Sequence, residues 1–261
     1  MNTKKLCLEL AYCETENAII DLLRKEGLWD NPKAWRYYGD HENNFATIGN
    51  QQSKPESAIV EKIINSVDAV LMAECMLRNI DPEGHSAPKD IRDALIKFFK
   101  IYDGKLSNIE SKERGGLAEN ICLVATGSKT NPCYSIIDKG KGQSPNKMPR
   151  TFLSIVERSN KLRIPFVQGK FNMGGTGVLR FCGKHNLQLI ISRRHPGIAK
   201  NEKDKSNNEW GFTIVRREDP RSGMRSSTYK YLAPSDKISS FSCNGLPLLP
   251  QEYPEPYGKD L

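Results

Sequence analysis

The sequence lacks the marks of several common domain classes. No two of its seven cysteines stand in CxxC spacing, their count is odd, and the four histidines show no ligand spacing with them. A zinc site and a disulfide scaffold are therefore not expected, and a reducing cytoplasmic setting is. Cys122, Cys133 and Cys182 fall in apolar stretches, where a buried thiol is ordinary. No run approaches the roughly 20 apolar residues of a membrane span. The N-terminus is too charged beyond residue 13 to be a signal peptide. There is no internal repeat and no low-complexity tract. The phosphate-loop pattern GxxxxGK[ST] is missing: Gly177 to Gly183-Lys184 has the wrong spacing and ends in His185. Parallel βαβ alternation is missing too, which argues against Rossmann and P-loop folds.

What remains is a chain of 261 residues, 38% hydrophobic, able to bury a sizeable core as one large or two small domains. Its net charge of +8 favours polyanions, although the 39 basic residues are spread along the chain. Periodicity predicts a helix over 5–26 stopped by Gly27, then an irregular polar stretch over 28–54 carrying Trp29, Trp35, Tyr37 and Tyr38. Pro55 opens a long helix to about Arg78, with Ser53 placed to cap it. Another helix follows Ser86-Ala-Pro88 and stops at Gly104, and 105–117 reads as a charged loop. Asn120–Ala125 and Cys133–Ile137 suit a hairpin across the turn 126–132. Residues 143–168 are polar with a short helical piece near 149–158, and Val178–Cys182 reads as helical. Leu187–Ser192 pairs with Trp210–Val215 across a charged loop, and Ser227–Leu232 suits a further strand. The expected fold class is α+β, a two-layer sandwich of helices on a mostly antiparallel sheet. A helical arm over 1–54 precedes a core over 55–232. A proline-rich extension over 233–261 reads as a chain cut before an output domain.

Three motifs carry chemistry. In Glu61-Lys-Ile-Ile-Asn65-Ser-Val-Asp68-Ala69, the residues Glu61, Asn65 and Asp68 fall within roughly 60° of one another on a helix. An asparagine oxygen is a neutral ligand for Mg²⁺, and a nearby carboxylate can deprotonate an attacking water. The same stripe also suits an ordinary solvated helix face. In Asp138-Lys-Gly140-Lys-Gly142 a carboxylate at a strand end needs a donor, and the adenine amino group is one. The glycines let a flat base approach, though Asp-x-Gly is also common turn chemistry. Gly169-Lys170-Phe171-Asn172-Met173-Gly174-Gly175-Thr176-Gly177 precedes the helical turn, so its amides can form an anion nest with Lys170 and Thr176 beside it. A hinge would read similarly.

The set, in this order, resembles the GHKL ATPases: DNA gyrase B subunits, heat-shock chaperones of the ninety-kilodalton class, MutL proteins and microrchidia ATPases. The family patterns ExxxNxxDA and DxGxG match without gaps, and the glycine loop matches more loosely, with Asn172 where many members have glycine. The resemblance covers about residues 55–232 and implies a Bergerat fold, with ATP and Mg²⁺ as cofactors. By it, Glu61 is the general base, Asn65 binds Mg²⁺, and Asp138 reads adenine. Asp68, Gly140, Gly142 and the 169–177 loop line the nucleotide, 143–168 is the lid, and Met148 lies near the base. The candidates for the family's late strand threonine are Thr213 and Thr228, or a residue beyond 261. Lid closure or ATP-dependent homodimerisation would couple hydrolysis to an output.

Two other readings carry weight. A nucleotide-gated module with little turnover could clamp nucleic acid or protein through Arg193, Arg194, Arg216, Arg217, Arg221 and Arg225, whose ordinary reading is solvated strand ends. A sensor histidine kinase would need a phospho-accepting histidine on a preceding helix, and His41 lies in an irregular stretch.

Overall fold

The N-terminal apolar segment folds as two helices rather than the single helix expected. In the computed structural model, which describes residues 2–49, 51–155, 160–169, 174–220 and 223–246, α1 spans Thr3–Ala11 and α2 spans Glu16–Lys25. The break falls at Thr15, whose side chain accepts from the Ala18 amide at 3.2 Å. Threonine serves better as a cap than inside a helix. Gly27, at φ +69°, ends α2 as expected. The stretch read as irregular supplies a short strand, β1 (Trp35–Tyr37), and a helix, α3 (Phe45–Gly49).

Three helices follow: α4 (Pro55–Leu77), α5 (Ile91–Phe99) and α6 (Ser111–Ala118). Proline opens α4, but Lys54 rather than Ser53 holds the cap position, with no side-chain cap bond. The helix α6 lies inside the segment read as a charged loop. The two expected hairpins form. In the first, β2 (Ile121–Ser128) pairs with β3 (Asn131–Asp138) across a tighter turn than predicted. In the second, β4 (Gln188–Arg193) pairs with β5 (Glu209–Glu218), with α7 (Pro196–Ala199) in the connection. The last expected strand is β6 (Thr228–Leu232), and an unexpected one, β7 (Ser239–Ser242), comes from the C-terminal extension.

Among the described residues the strands form two sheets rather than one. One runs β1-β6-β5-β4, with β7 pairing the first half of β5; the other is the β2-β3 hairpin alone. Every pairing among the described residues is antiparallel. The protein is thus α+β. Segments on both sides of 55–232 complete its larger sheet, because β1 pairs β6 and β7 pairs β5.

Strand β5 is buried on both faces, and the core divides there. Phe212 and Ile214 pack with Leu6, Leu10 and Leu23 of α1 and α2. Val215 packs on the other side with Tyr38, Met148, Leu153, Tyr229 and Tyr231. A third cluster joins Leu71, Met72 and Cys75 of α4 to Phe98 of α5 and to Phe166 and Val167. Within 143–168, the lid by the resemblance, Met148 and Leu153 join the second cluster and Ile164, Phe166 and Val167 the third, while Phe152 and Leu162 are exposed. Residues 156–159 lie outside the described residues. No helix among the described residues is long and apolar enough to cross a membrane.

One buried side chain fixes the N-terminal arm. Asn44 donates to the carbonyls of Tyr38 and Tyr229 at 3.0 and 2.8 Å, and its oxygen accepts from the Tyr229 amide at 2.8 Å. Replacing it with alanine strands a buried amide and two carbonyls, each an unmet desolvation cost. Asn44→Ala is expected to lower stability by about 3 kcal/mol in urea unfolding. A loss below about 1 kcal/mol, the scale of one net hydrogen bond, would mean that the arm is held elsewhere.

Candidate functional site

Helix α4 carries two polar stripes, and the three motifs meet on them. Glu61, Asn65 and Asp68 form the first. Lys62, Ser66 and Ala69 have the same spacing and lie about 100° further round the helix.

The second stripe holds the Asp138 loop. Ser66 donates its hydroxyl to Asp138 Oδ2 at 3.1 Å, and the Gly140 amide donates to Oδ1 at 3.0 Å. Gly140 is pressed onto the helix: a Cβ there would lie 2.5 Å from that of Ala69. The Lys141 amide donates to the Ala69 carbonyl at 3.0 Å, and the Lys141 carbonyl accepts from the His195 amide at 3.0 Å. Gly142, at φ +54°, touches β4 so closely that a Cβ would sit 1.8 Å from the Arg193 carbonyl oxygen. The buried Arg194 reaches back to the carbonyls of Lys141 and Gly142, both at 3.2 Å, and pairs with Glu202. Only bare main chain fits this passage. Asp138 keeps an exposed edge, yet the protein packed around its carboxyl raises the pKa above the usual value, against the pull of the Gly140 amide and the Ser66 hydroxyl. Each carboxylate oxygen has one of these partners, which leaves acceptor capacity on both.

The first stripe holds the glycine loop. The buried Asp68 accepts from the Gln168 and Gly169 amides at 2.9 and 2.7 Å, one on each oxygen. It therefore positions the main chain where the glycine loop begins. The turn Gly174–Thr176 lies against α4, with Thr176 buried. The Lys62 ammonium stands 3.8 Å from where a Cβ on Gly175 would be. Gly177 leaves room for Gln52: a Cβ there would meet Gln52 Cγ at 2.6 Å, and Gln52 Nε2 donates to Glu61 Oε2 at 2.8 Å. Lys170 and Phe171 lie outside the described residues.

Two polar groups at this junction have no protein partner. Among the described residues, the half-buried Asn65 amide and Lys62 ammonium make neither hydrogen bond nor ion pair. Burial lowers the Lys62 pKa to about 8, against the opposing pull of Cys182 and Glu61. No group of three His, Cys, Asp or Glu residues is placed to hold a metal among the described residues. The donor set suits Mg²⁺ only when phosphate oxygens and water complete the shell around Asn65.

Two expected residues lie elsewhere. Thr228 donates to the Glu42 carbonyl at 2.7 Å. It pairs with Glu218, while Arg193, beside Gly142, pairs with Trp210. At about 3.3 Å per residue those positions on β5 are roughly 26 Å apart. The alternative, Thr213, is buried and donates to the Leu232 carbonyl at 2.7 Å. Met148 is fully buried in the core, its sulfur 3.0 Å from where a Cβ on Gly211 would stand. It is no open wall of a pocket. Two open surface hollows, of about 330 Å³ along α1 and about 270 Å³ between Trp29, His185 and Arg216–Asp219, are lined by none of the motif residues.

The arginine set is largely occupied. Arg216 is buried between the rings of Trp29 and Trp35, its carbon 4.5 and 3.7 Å from their centres, and it pairs with Glu218. Arg193 donates to the carbonyls of Cys243 and Asn244, both at 2.9 Å, and Arg217 pairs with Asp219 at 3.2 Å. Arg225 is exposed, and Arg221 lies outside the described residues. His41 is exposed and outside any helix, which disfavours the sensor-kinase reading. Sequence reasoning missed Lys62, Ser66 and Gln52. The 62–66–69 spacing, parallel to 61–65–68, was the available signal for the first two.

Asp68→Asn replaces one acceptor with an amide facing a main-chain donor. A loss of about 2 kcal/mol in stability is expected, with faster hydrogen exchange at the Gln168 and Gly169 amides. Unchanged exchange there would show that the loop is anchored by other contacts.

No protein-family profile, curated protein or solved structure matched this chain.

Proposed function

We propose that the protein binds ATP with Mg²⁺ in a Bergerat-type site and hydrolyses it. The observation that supports this most is the convergence on α4: Asp138 is fixed through Ser66 and Gly140, and the glycine loop through Asp68 and the turn beside Lys62. In this assignment Asp138 accepts from the adenine amino group, a pairing that rejects guanine, whose corresponding position is an acceptor. The amides of the glycine turn face the phosphates. Asn65 supplies a neutral oxygen to Mg²⁺. Glu61, oriented by Gln52, takes the proton of the attacking water. Closure or ATP-dependent dimerisation as the output belongs to the same proposal. The nucleic-acid reading loses support, because four of its six arginines are engaged within the protein.

Titration calorimetry with Mg²⁺–ATP tests the assignment. Asp138→Ala and Asn65→Ala are expected to abolish binding. Glu61→Ala should keep affinity while phosphate release falls about 10²- to 10⁴-fold, the scale of general-base catalysis. Equal affinity of wild type and Asp138→Ala for ATP would remove the adenine-reading role.

A further inference from the structure

A cation held partly out of water without a counter-ion is unfavourable, and proteins ordinarily pair it. Arg194 and Arg216 follow that rule, each more than nine-tenths buried and each matched to a glutamate. Lys62 does not. It lies on α4 one residue after Glu61, and its ammonium reaches the turn at Gly175 rather than a carboxylate. Glu61, the nearest candidate partner in sequence, accepts from Gln52 instead. Asn65, one helical turn along, also has no partner among the described residues. Among the described residues, two polar groups without a protein partner thus sit on the helix against which the turn Gly174–Thr176 packs, and Asp68 of the same helix holds the chain before that turn at Gln168 and Gly169.

We propose that Lys62 is a binding residue for the terminal phosphates of the nucleotide, held as a point charge at the glycine turn. This rests on the nucleotide assignment above and deepens it, because it supplies from within this chain the cation that a triphosphate requires. A Cβ at position 175 would stand 3.8 Å from the ammonium, so the turn and the cation are immediate neighbours. The titratable groups facing Lys62 are Glu61 on its own helix and Cys182 from the segment after the glycine turn. Burial pushes the Cys182 thiol up to about 11, so it brings no charge near neutral pH.

The sign of the pH effect follows. Free Lys62 loses its proton near pH 8, below the ordinary lysine value. A bound phosphate favours the charged form and raises the pKa. Binding therefore takes up a proton above pH 8, and affinity falls as pH rises past that point.

The test measures binding of Mg²⁺–ATP, AMP and magnesium tripolyphosphate to wild type, Lys62→Met and Lys62→Arg between pH 7 and 9.5. Wild type is expected to bind ATP and tripolyphosphate more weakly above about pH 8. Lys62→Met should bind both about tenfold more weakly at pH 7, the value of one charge-assisted contact. It should lose the pH dependence and bind AMP as wild type does. Lys62→Arg should keep affinity at pH 7 and show no fall above pH 8. Thermal unfolding without ligand should show Lys62→Met at least as stable as wild type, since an unpaired charge is removed. Undiminished tripolyphosphate affinity in Lys62→Met at pH 7 overturns the proposal, as does a wild type that binds neither ligand. Tripolyphosphate binding that depends on Lys62, without ATP binding, would keep this role and sink the adenine assignment. The wild-type pH profile needs no variant to fold: a flat profile counts against Lys62.

Discussion

The structure depends on one passage of bare main chain. Between Asp138 and Gln143 the chain runs through a gap bounded by Ala69 of α4 on one side and Arg193 of β4 on the other. Hydrogen bonds fix it to both: Lys141 to the Ala69 carbonyl, His195 to the Lys141 carbonyl, and Gln143 to the Ser192 hydroxyl. A side chain at Gly140 or Gly142 would collide with atoms that cannot rotate away. The passage links the two-stranded hairpin to the five-stranded sheet and sets where Asp138 stands relative to α4. The two glycines of the motif therefore have a structural reason independent of any ligand, and the position of the carboxylate follows from it.

The elements legible in the sequence were those with local signals. Both hairpins combine apolar alternation with a turn, and α4 opens on proline over a long apolar period, so each was placed close to its observed span. The failures were of another kind. The split between α1 and α2 hangs on a single hydroxyl cap at Thr15, which competes with a continuous apolar pattern. Strands β1 and β7 are short, and β7 reads Ser-Ser-Phe-Ser; each is a strand because an edge of β6 or β5 was there to pair with. Segment 143–168 reads as polar, yet five of its apolar residues, Met148, Leu153, Ile164, Phe166 and Val167, complete two separate core clusters. No local window reveals that.

The candidate site was legible where one helix carries it. Residues at i, i+4 and i+7 share a face whatever the rest of the chain does, so the grouping of Glu61, Asn65 and Asp68 was fixed by spacing alone. The role of Asp68 was not, because its partners, the Gln168 and Gly169 amides, lie about a hundred residues away. Thr228 and Met148 show the reverse: their types fit the family pattern, while sheet register and core packing set where they stand.

Charge makes the last step. A net charge of +8 suggests a surface for polyanions, yet four of the six densest arginines are engaged by the fold itself, stacked on tryptophan, paired with a carboxylate or bonded to carbonyls. Composition counts cations without regard to what each one faces. What distinguishes a binding cation from a structural one is the lack of an internal partner at a place where burial makes that lack costly. Lys62 meets this criterion and Arg216 does not, though both stand close to motif or core residues. Selection of the residue by its pairing state, rather than by local charge density, moves attention from the rim of the large sheet to the junction of α4 with the glycine turn. There, among the described residues, an amide and an ammonium one helical turn apart have no protein partner, a combination suited to a metal-bound phosphate and ill suited to a duplex backbone, which asks for cations spaced along a surface.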